Sequence, residues 1–235
     1  MAVRWRGEGG QHQGARPYQE DSWALRTLAD DSVLAVVADG MGGHAGGAVA
    51  SRLVADAVVK AVEQGRSLAD GLQSANSAVQ AGAARKAELS GMGSTLVAAI
   101  ATGDEVRWIS VGDSPFFMVS SGKLERLNAD HSMAPQIDAL VSRGVLTAEE
   151  GAAHPGRHTL REAVMGQPLT LIDEGRRRLP PDARLLLCSD GVHSLGDKDI
   201  AAQSARPVST LLSAVLAVGS PHQDNVTIIK LERGT

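Results

Sequence analysis

The chain has 235 residues, 43% of them hydrophobic and 21% charged, with 26 Gly and 9 Pro. That balance excludes disordered, collagen-like and coiled-coil chains, and at about 150 residues per domain the length predicts a single domain over 1–235. Lys and Arg number 23 against 27 Asp and Glu, a formal charge of -4, so no polycationic footprint for nucleic acid or an anionic membrane is expected.

In chain order, the first ten residues carry Arg4, Arg6 and Glu8 with three Gly where a leader would have an apolar core. No later stretch reaches the roughly eighteen apolar residues of a membrane span, and a cytoplasmic location is expected. Residues 33–38 read as a buried strand stopped by Asp39-Gly40. Past the glycine-rich 40–47, Val49, Leu53, Val54, Ala57, Val58 and Ala61 mark an amphipathic helix over 48–64. An Ala-rich helix is predicted from 67 to about 89, weakened at Gly71 and Gly82. Strands are expected at 94–101, 106–111 and 116–119, split by Thr102-Gly103-Asp104 and Gly112-Asp113-Ser114-Pro115 as in an antiparallel meander. Residues 128–166 are mostly polar, with helical spacing over 134–143 and none over 144–157; loops of this length are often functional. Strands at 184–189 and 225–231 bracket a helix over 208–218. The single cysteine, Cys188, follows Leu185, Leu186 and Leu187, which predicts a buried, reduced thiol and excludes an intrachain disulfide. Aromatic residues make up 3%, so the core must be Ala, Val, Leu and Ile, with no base-stacking platform. Without regular βα alternation, an α+β sandwich fits better than a doubly wound parallel sheet.

The chemistry narrows by elimination: the chain has no P-loop, no Gly-x-Ser-x-Gly elbow, no His-Glu-x-x-His and no kinase glycine-rich loop with its strand-borne Lys. What remains is a set of carboxylates where apolar strands begin or end: Glu20-Asp21, Asp39, Asp113, Asp190 and Asp224. Taken singly, each Asp-Gly is turn chemistry, and Asp70-Gly71 reads that way. Together they describe an oxygen-only cage, which suits Mg²⁺ or Mn²⁺ rather than a softer ion. Two such ions about 4 Å apart can share a hydroxide and hold a phosphoryl group for in-line attack.

Seven motifs carry a resemblance: Arg16-Pro-Tyr-Gln-Glu20-Asp21-Ser22, Val37-Ala-Asp39-Gly40-Met-Gly-Gly-His44-Ala-Gly-Gly, Gly93-Ser-Thr-Leu, Val111-Gly-Asp113-Ser, Asp130-His131-Ser132, Cys188-Ser-Asp190-Gly191 and Gln223-Asp224-Asn225-Val-Thr. In order and spacing the chain resembles the metal-dependent protein serine/threonine phosphatases of type 2C, the PPM family, in their bacterial form. The resemblance implies a four-layer αββα fold, two antiparallel sheets flanked by helices, and two Mn²⁺ or Mg²⁺ ions. It implies that Asp39 bridges both ions, that the Gly40 carbonyl binds one, and that Asp190 and Asp224 complete the other. Glu20 and Asp21 match the family's early acidic pair, one on a metal and one acting through water, and Arg16 its phosphate clamp. His44 is the candidate proton donor to the leaving oxygen, set against a structural role for the same side chain.

Two departures bear on a third, weaker ion that the family often holds. Asp113 is present, but Ser194 stands where a carboxylate is expected, so this site should be weak or absent, and Pro115 replaces an Arg that usually follows Gly-Asp-Ser. A flap is expected at about 144–161, in which Arg157 is an exposed loop charge or a phosphopeptide contact. His131 is expected to satisfy a structural hydrogen bond, and Arg176–Arg178 to form a solvated surface turn. The expected activity is hydrolysis of phosphoserine and phosphothreonine in proteins by a monomer opposing a bacterial serine/threonine kinase. The rivals are a small-molecule phosphomonoesterase and a non-catalytic phosphoprotein-binding relative, the latter disfavoured by retention of Asp39, Asp190 and Asp224.

Overall fold

The computed structural model describes residues 4–42 and 45–234. Strands β1 (Trp5–His12), β2 (Ser22–Thr27), β3 (Val33–Ala38) and the two-residue β4 (Gly40–Met41) precede helices α1 (Ala45–Glu63) and α2 (Leu68–Ala83). There follow β5 (Gly93–Ser94), β6 (Leu96–Thr102), β7 (Glu105–Val111), β8 (Phe116–Ser120) and β9 (Lys123–Arg126), then α3 (Ala134–Ser142) and α4 (Ala148–Ala152). The chain ends with β10 (Asp173–Arg178), β11 (Arg184–Cys188), α5 (Asp197–Gln203), α6 (Val208–Ala217) and β12 (Val226–Arg233). One sheet has the order β1-β12-β11-β8-β9 and the other β10-β7-β6-β3-β2, and β4 pairs with β5 alone. The strand pairs are antiparallel throughout.

Strand pleating assigns each side chain to a layer. In β3, Val33, Ala35 and Val37 point between the sheets, where they meet Phe116, Met118, Leu185, Leu187 and Ile229, while Leu34, Val36 and Ala38 point outward. That outer face packs on Val54 and Val58 of α1 and Leu72 and Val79 of α2. The outer face of the other sheet, including Leu186, Cys188 and Ile228, packs on Ile200 of α5 and Leu211 and Val215 of α6. The result is the αββα arrangement expected, with Cys188 fully buried in it. Among the described residues no helix is long and apolar enough to cross a membrane.

Several local expectations fail for identifiable reasons. β1 was not predicted because its sequence, WRGEGGQH, has no apolar alternation; its glycines are packing positions, since a Cβ on Gly7 would meet Leu25 and Leu231. β9 and β10 are polar edge strands, and β2, at the other edge, has a single buried residue, Ala24. Arg176–Arg178 therefore lie in β10 beside Arg107, Val106 and Glu105 of β7, not in a surface turn. Asp70-Gly71 is no turn either: Asp70 sits in the first turn of α2 and exchanges hydrogen bonds with Ser67, a capping box. The same device, Thr147 with Glu150, opens α4 where no helix was predicted. α2 ends at Ala83, short of the predicted 89, and residues Ala87–Leu89 form a separate 3₁₀ turn.

Candidate active site

The site lies where the strand ends of both sheets meet. Asp39 leaves β3 with its backbone clamped: its N–H donates to Thr95 Oγ1 (3.0 Å), and its carbonyl accepts from Thr95 N–H (2.8 Å) and Ser94 Oγ (3.0 Å). The β4–β5 pairing of Gly40 with Ser94 fixes the next residue. No side chain fits there, since a Cβ on Gly40 would strike the carbonyls of Gly47 and Glu20. Glu20 is placed by Asn225, whose Oδ1 accepts from Glu20 N–H (2.7 Å) while its Nδ2 donates to the carbonyls of Gln13 (2.7 Å) and Tyr18 (2.9 Å). Asp190 opens a 3₁₀ turn directly after β11, and Asp224 precedes β12.

Arg16, Glu20, Asp39, Gly40, Asp113, Asp190 and Asp224 line one cavity of about 290 Å³. It adjoins a wider cleft of about 920 Å³ that Ser194, Arg126, Arg157 and His193 also line. Arg16 Nη2 donates to Asp224 Oδ2 (2.5 Å), so the expected phosphate clamp sits on a carboxylate of the cage. Asp21 is the exception: buried, it holds Oδ2 against Ser189 Oγ (2.8 Å) and Thr227 Oγ1 (2.7 Å), and it faces a separate cavity toward α1. His44 lies outside the described residues.

Electrostatics mark the cage as a place of concentrated negative charge. Burial, then repulsion from Asp21, Asp190, Asp113 and Asp224, holds the Asp39 carboxyl well above the usual carboxylate range. Asp190 is raised by burial and by Asp224. Burial lifts Asp113 to about 7, with Asp190 and Asp130 adding to it. Asp21 rises to about 6 through burial, against the lowering effect of its two hydroxyl partners.

This donor set fits divalent hard cations. Its ligating atoms are all oxygens, and its carboxyls repel one another. Among the described residues no three His, Cys, Asp or Glu side chains close around a single point, and ions that keep several waters do not require such a closed protein cage.

A family model described as protein phosphatase 2C matches residues 7–225. The chain belongs to the protein phosphatase 2C family. It is 33% identical over 231 residues to the serine/threonine protein phosphatase PstP of Mycobacterium tuberculosis, covering 90% of this chain and 43% of that protein. The chain therefore spans less than half the length of that relative. It is 30% identical over 233 residues to the serine/threonine phosphatase stp of Listeria welshimeri, covering 93% and 91%. A solved structure of the PstP catalytic domain in complex with two manganese ions superposes with a TM-score of 0.82 at 28% identity, covering 100% of both chains.

Several contributors to this 2C-type site had no role from sequence. Ser189 and Thr227, which hold Asp21, and Asn225, which holds Glu20, lie inside the recognised motifs, so their positions were marked although their partners were not. His158 lines both the cavity and the cleft from the predicted flap segment, and nothing in a polar loop signals that reach. Arg157 forks onto Asp138 (2.7 and 3.2 Å) at the cleft wall. His131 has the expected structural role, its Nδ1 accepting from Gly112 N–H (3.2 Å).

Proposed function

We propose that this chain is a protein serine/threonine phosphatase that hydrolyses phosphoserine and phosphothreonine in a dinuclear Mn²⁺ or Mg²⁺ site, opposing a serine/threonine kinase. The observation that carries the reading is the convergence of Glu20, Asp39, Gly40, Asp190 and Asp224, from four separated segments, on one cavity with Arg16 at its rim. Asp39 would hold both ions and the Gly40 carbonyl one of them, with Asp190 and Asp224 as the other's ligands and Glu20 beside them. When bound, such ions activate water and neutralise the phosphoryl oxygens.

The protein's own groups do the rest. The guanidinium of Arg16 offers two parallel N–H donors to a phosphate, exchanging its Asp224 partner for the substrate. Thr95 and Ser94 keep Asp39 from turning away, and Asn225 keeps Glu20 at the wall. The adjoining cleft has room for the polypeptide flanking a phosphoresidue, which favours a protein substrate over a small metabolite. Proton donation to the departing Ser or Thr oxygen is assigned to His44 on its sequence position alone.

The test is release of phosphate from phosphoserine and phosphothreonine peptides with Mn²⁺, alongside small sugar phosphates. Activity should fall to background in excess chelator and in Asp39→Asn and Asp190→Asn. Full activity in chelator refutes the metal reading, and exclusive turnover of the sugar phosphates refutes the protein-substrate reading.

A further inference from the structure

The turn that carries Asp113, residues 112–116, is gripped from outside by one short segment, 126–131. His131 N–H donates to Gly112 O (3.1 Å) and its ring accepts from Gly112 N–H (3.2 Å). Asn128 Nδ2 donates to Ser114 O (2.9 Å), its Oδ1 accepts from Phe116 N–H (2.8 Å), and Leu127 N–H donates to Phe116 O (2.7 Å). Asp113 itself is reached by Arg126, whose Nη2 donates to the Asp113 carbonyl (2.7 Å). The other nitrogens of the same guanidinium donate to Asp130 Oδ2 (3.1 Å) and Asn128 Oδ1 (3.2 Å).

Pro115, two residues after Asp113, has no N–H and no charge to contribute to this turn. The β8–β9 pairing sets Arg126 opposite Phe117, which brings its side chain alongside Asp113. Arg126 and Asp113 line the same cleft, and Arg126 is mostly covered, with 23% of its side chain exposed. A planar guanidinium with donors in a fixed fork can hold three acceptors at once, which a lysine ammonium on a flexible stem does poorly.

We propose that Arg126 is a positioning residue for Asp113: its guanidinium, fixed among the Asp113 carbonyl, Asp130 and Asn128, holds the Asp113 carboxyl at the cation cavity. The role is supplied from the neighbouring strand, in a chain that carries proline next to the Asp113-Ser114 pair. This inference rests on Asp113 binding a third, weaker cation beside the dinuclear site of the proposed phosphatase, and its test separates the two.

Mn²⁺ binding to the full chain is titrated by calorimetry for wild type, Arg126→Lys, Arg126→Gln, Asp113→Asn and the Arg126→Gln/Asp113→Asn double variant, with thermal melts in chelator for each. Arg126→Gln should raise the Mn²⁺ concentration for half-occupancy of the weakest site by about tenfold or more, the scale for partners that orient metal ligands. Arg126→Lys should fall between, and in the Asp113→Asn background Arg126→Gln should add nothing. The inference is overturned if Arg126→Gln binds as wild type does, or if its effect is undiminished without Asp113. If Arg126→Gln does not melt cooperatively, Arg126→Lys is judged by the same criteria. An unchanged isotherm in Asp113→Asn overturns the ligand reading of Asp113 and this inference together. A shift in Asp113→Asn without one in Arg126→Gln overturns this inference alone.

Discussion

Replacing Asp113 by asparagine should stabilise the protein in chelator, and only at neutral to alkaline pH. Asp113 is held by burial, with help from Asp190 and Asp130, at about 7 instead of its ordinary 3.8. A raised folded-state pKa on a carboxyl means that the folded chain keeps a proton which the unfolded chain has released. Below 3.8 both states are protonated and Asp113 contributes nothing. Between 3.8 and about 7 stability falls as pH rises, and above 7 the penalty is constant. At about 1.36 kcal/mol per unit, the full penalty is about 4 kcal/mol. Asparagine keeps the shape without the titration, so Asp113→Asn should gain up to about 4 kcal/mol at pH 8 in chelator and almost nothing at pH 4. Urea unfolding followed by circular dichroism at the two pH values measures the difference. Saturating Mn²⁺ should narrow that gain, because binding at 100 times Kd stabilises by about 2.7 kcal/mol, and asparagine forfeits part of that. A gain of equal size at both pH values, or a loss at pH 8 in chelator, refutes the assignment of Asp113 to the repulsive cage.

Two further substitutions probe the scaffold. Gly14 has φ of +66°, and a Cβ there would run into the carbonyls of Gln223 and Asp224; Gly14→Ala should displace Asp224, weaken Mn²⁺ binding and cost about 1–3 kcal/mol, and wild-type Mn²⁺ affinity in this variant would show that the loop does not position Asp224. Leu187 is fully buried between the sheets; Leu187→Ala should cost about 2–5 kcal/mol in urea unfolding, and a cost below about 1 kcal/mol would contradict the tight packing described there.

How far the sequence disclosed the structure followed the strength of each local signal. β3, β6, β8, β11 and β12 carry apolar runs because both of their faces are covered, and each coincides with a strand that the sequence predicts. β1, β2, β9 and β10 are exposed on at least one side or admit side chains from neighbours, so Gly175 in β10 is small because the Trp108 ring lies against it, a requirement set by a residue of another strand. Capping boxes at Ser67–Asp70 and Thr147–Glu150 were legible as spacings, yet Asp70-Gly71 competes with turn chemistry and was assigned to it. In the site, the carboxylates were legible because each punctuates an apolar strand. The grip of Arg126 and Asn128 on the Asp113 turn was not, since no local pattern ties residue 126 to residue 113.

The arrangement of partners around the cage bears on how a chain of net charge -4 could receive the phosphate of the proposed substrate. The backbones of Asp39 and Glu20 and the Asp21 carboxylate are held by neutral donors and acceptors, Ser94, Thr95, Asn225, Ser189 and Thr227. These partners fix positions without cancelling charge, so the negative potential of the cage would be kept for the divalent ions of the proposed site, whose own charge would then dominate it. Arg16 is different: it pairs with Asp224 at the rim, with 52% and 35% of the two side chains exposed. An ion pair this open contributes no more than about 1 kcal/mol. Arg16 can therefore leave Asp224 for a phosphate oxygen at little cost, whereas the buried hydroxyl partners of Asp21 cannot leave their carboxylate without stranding it.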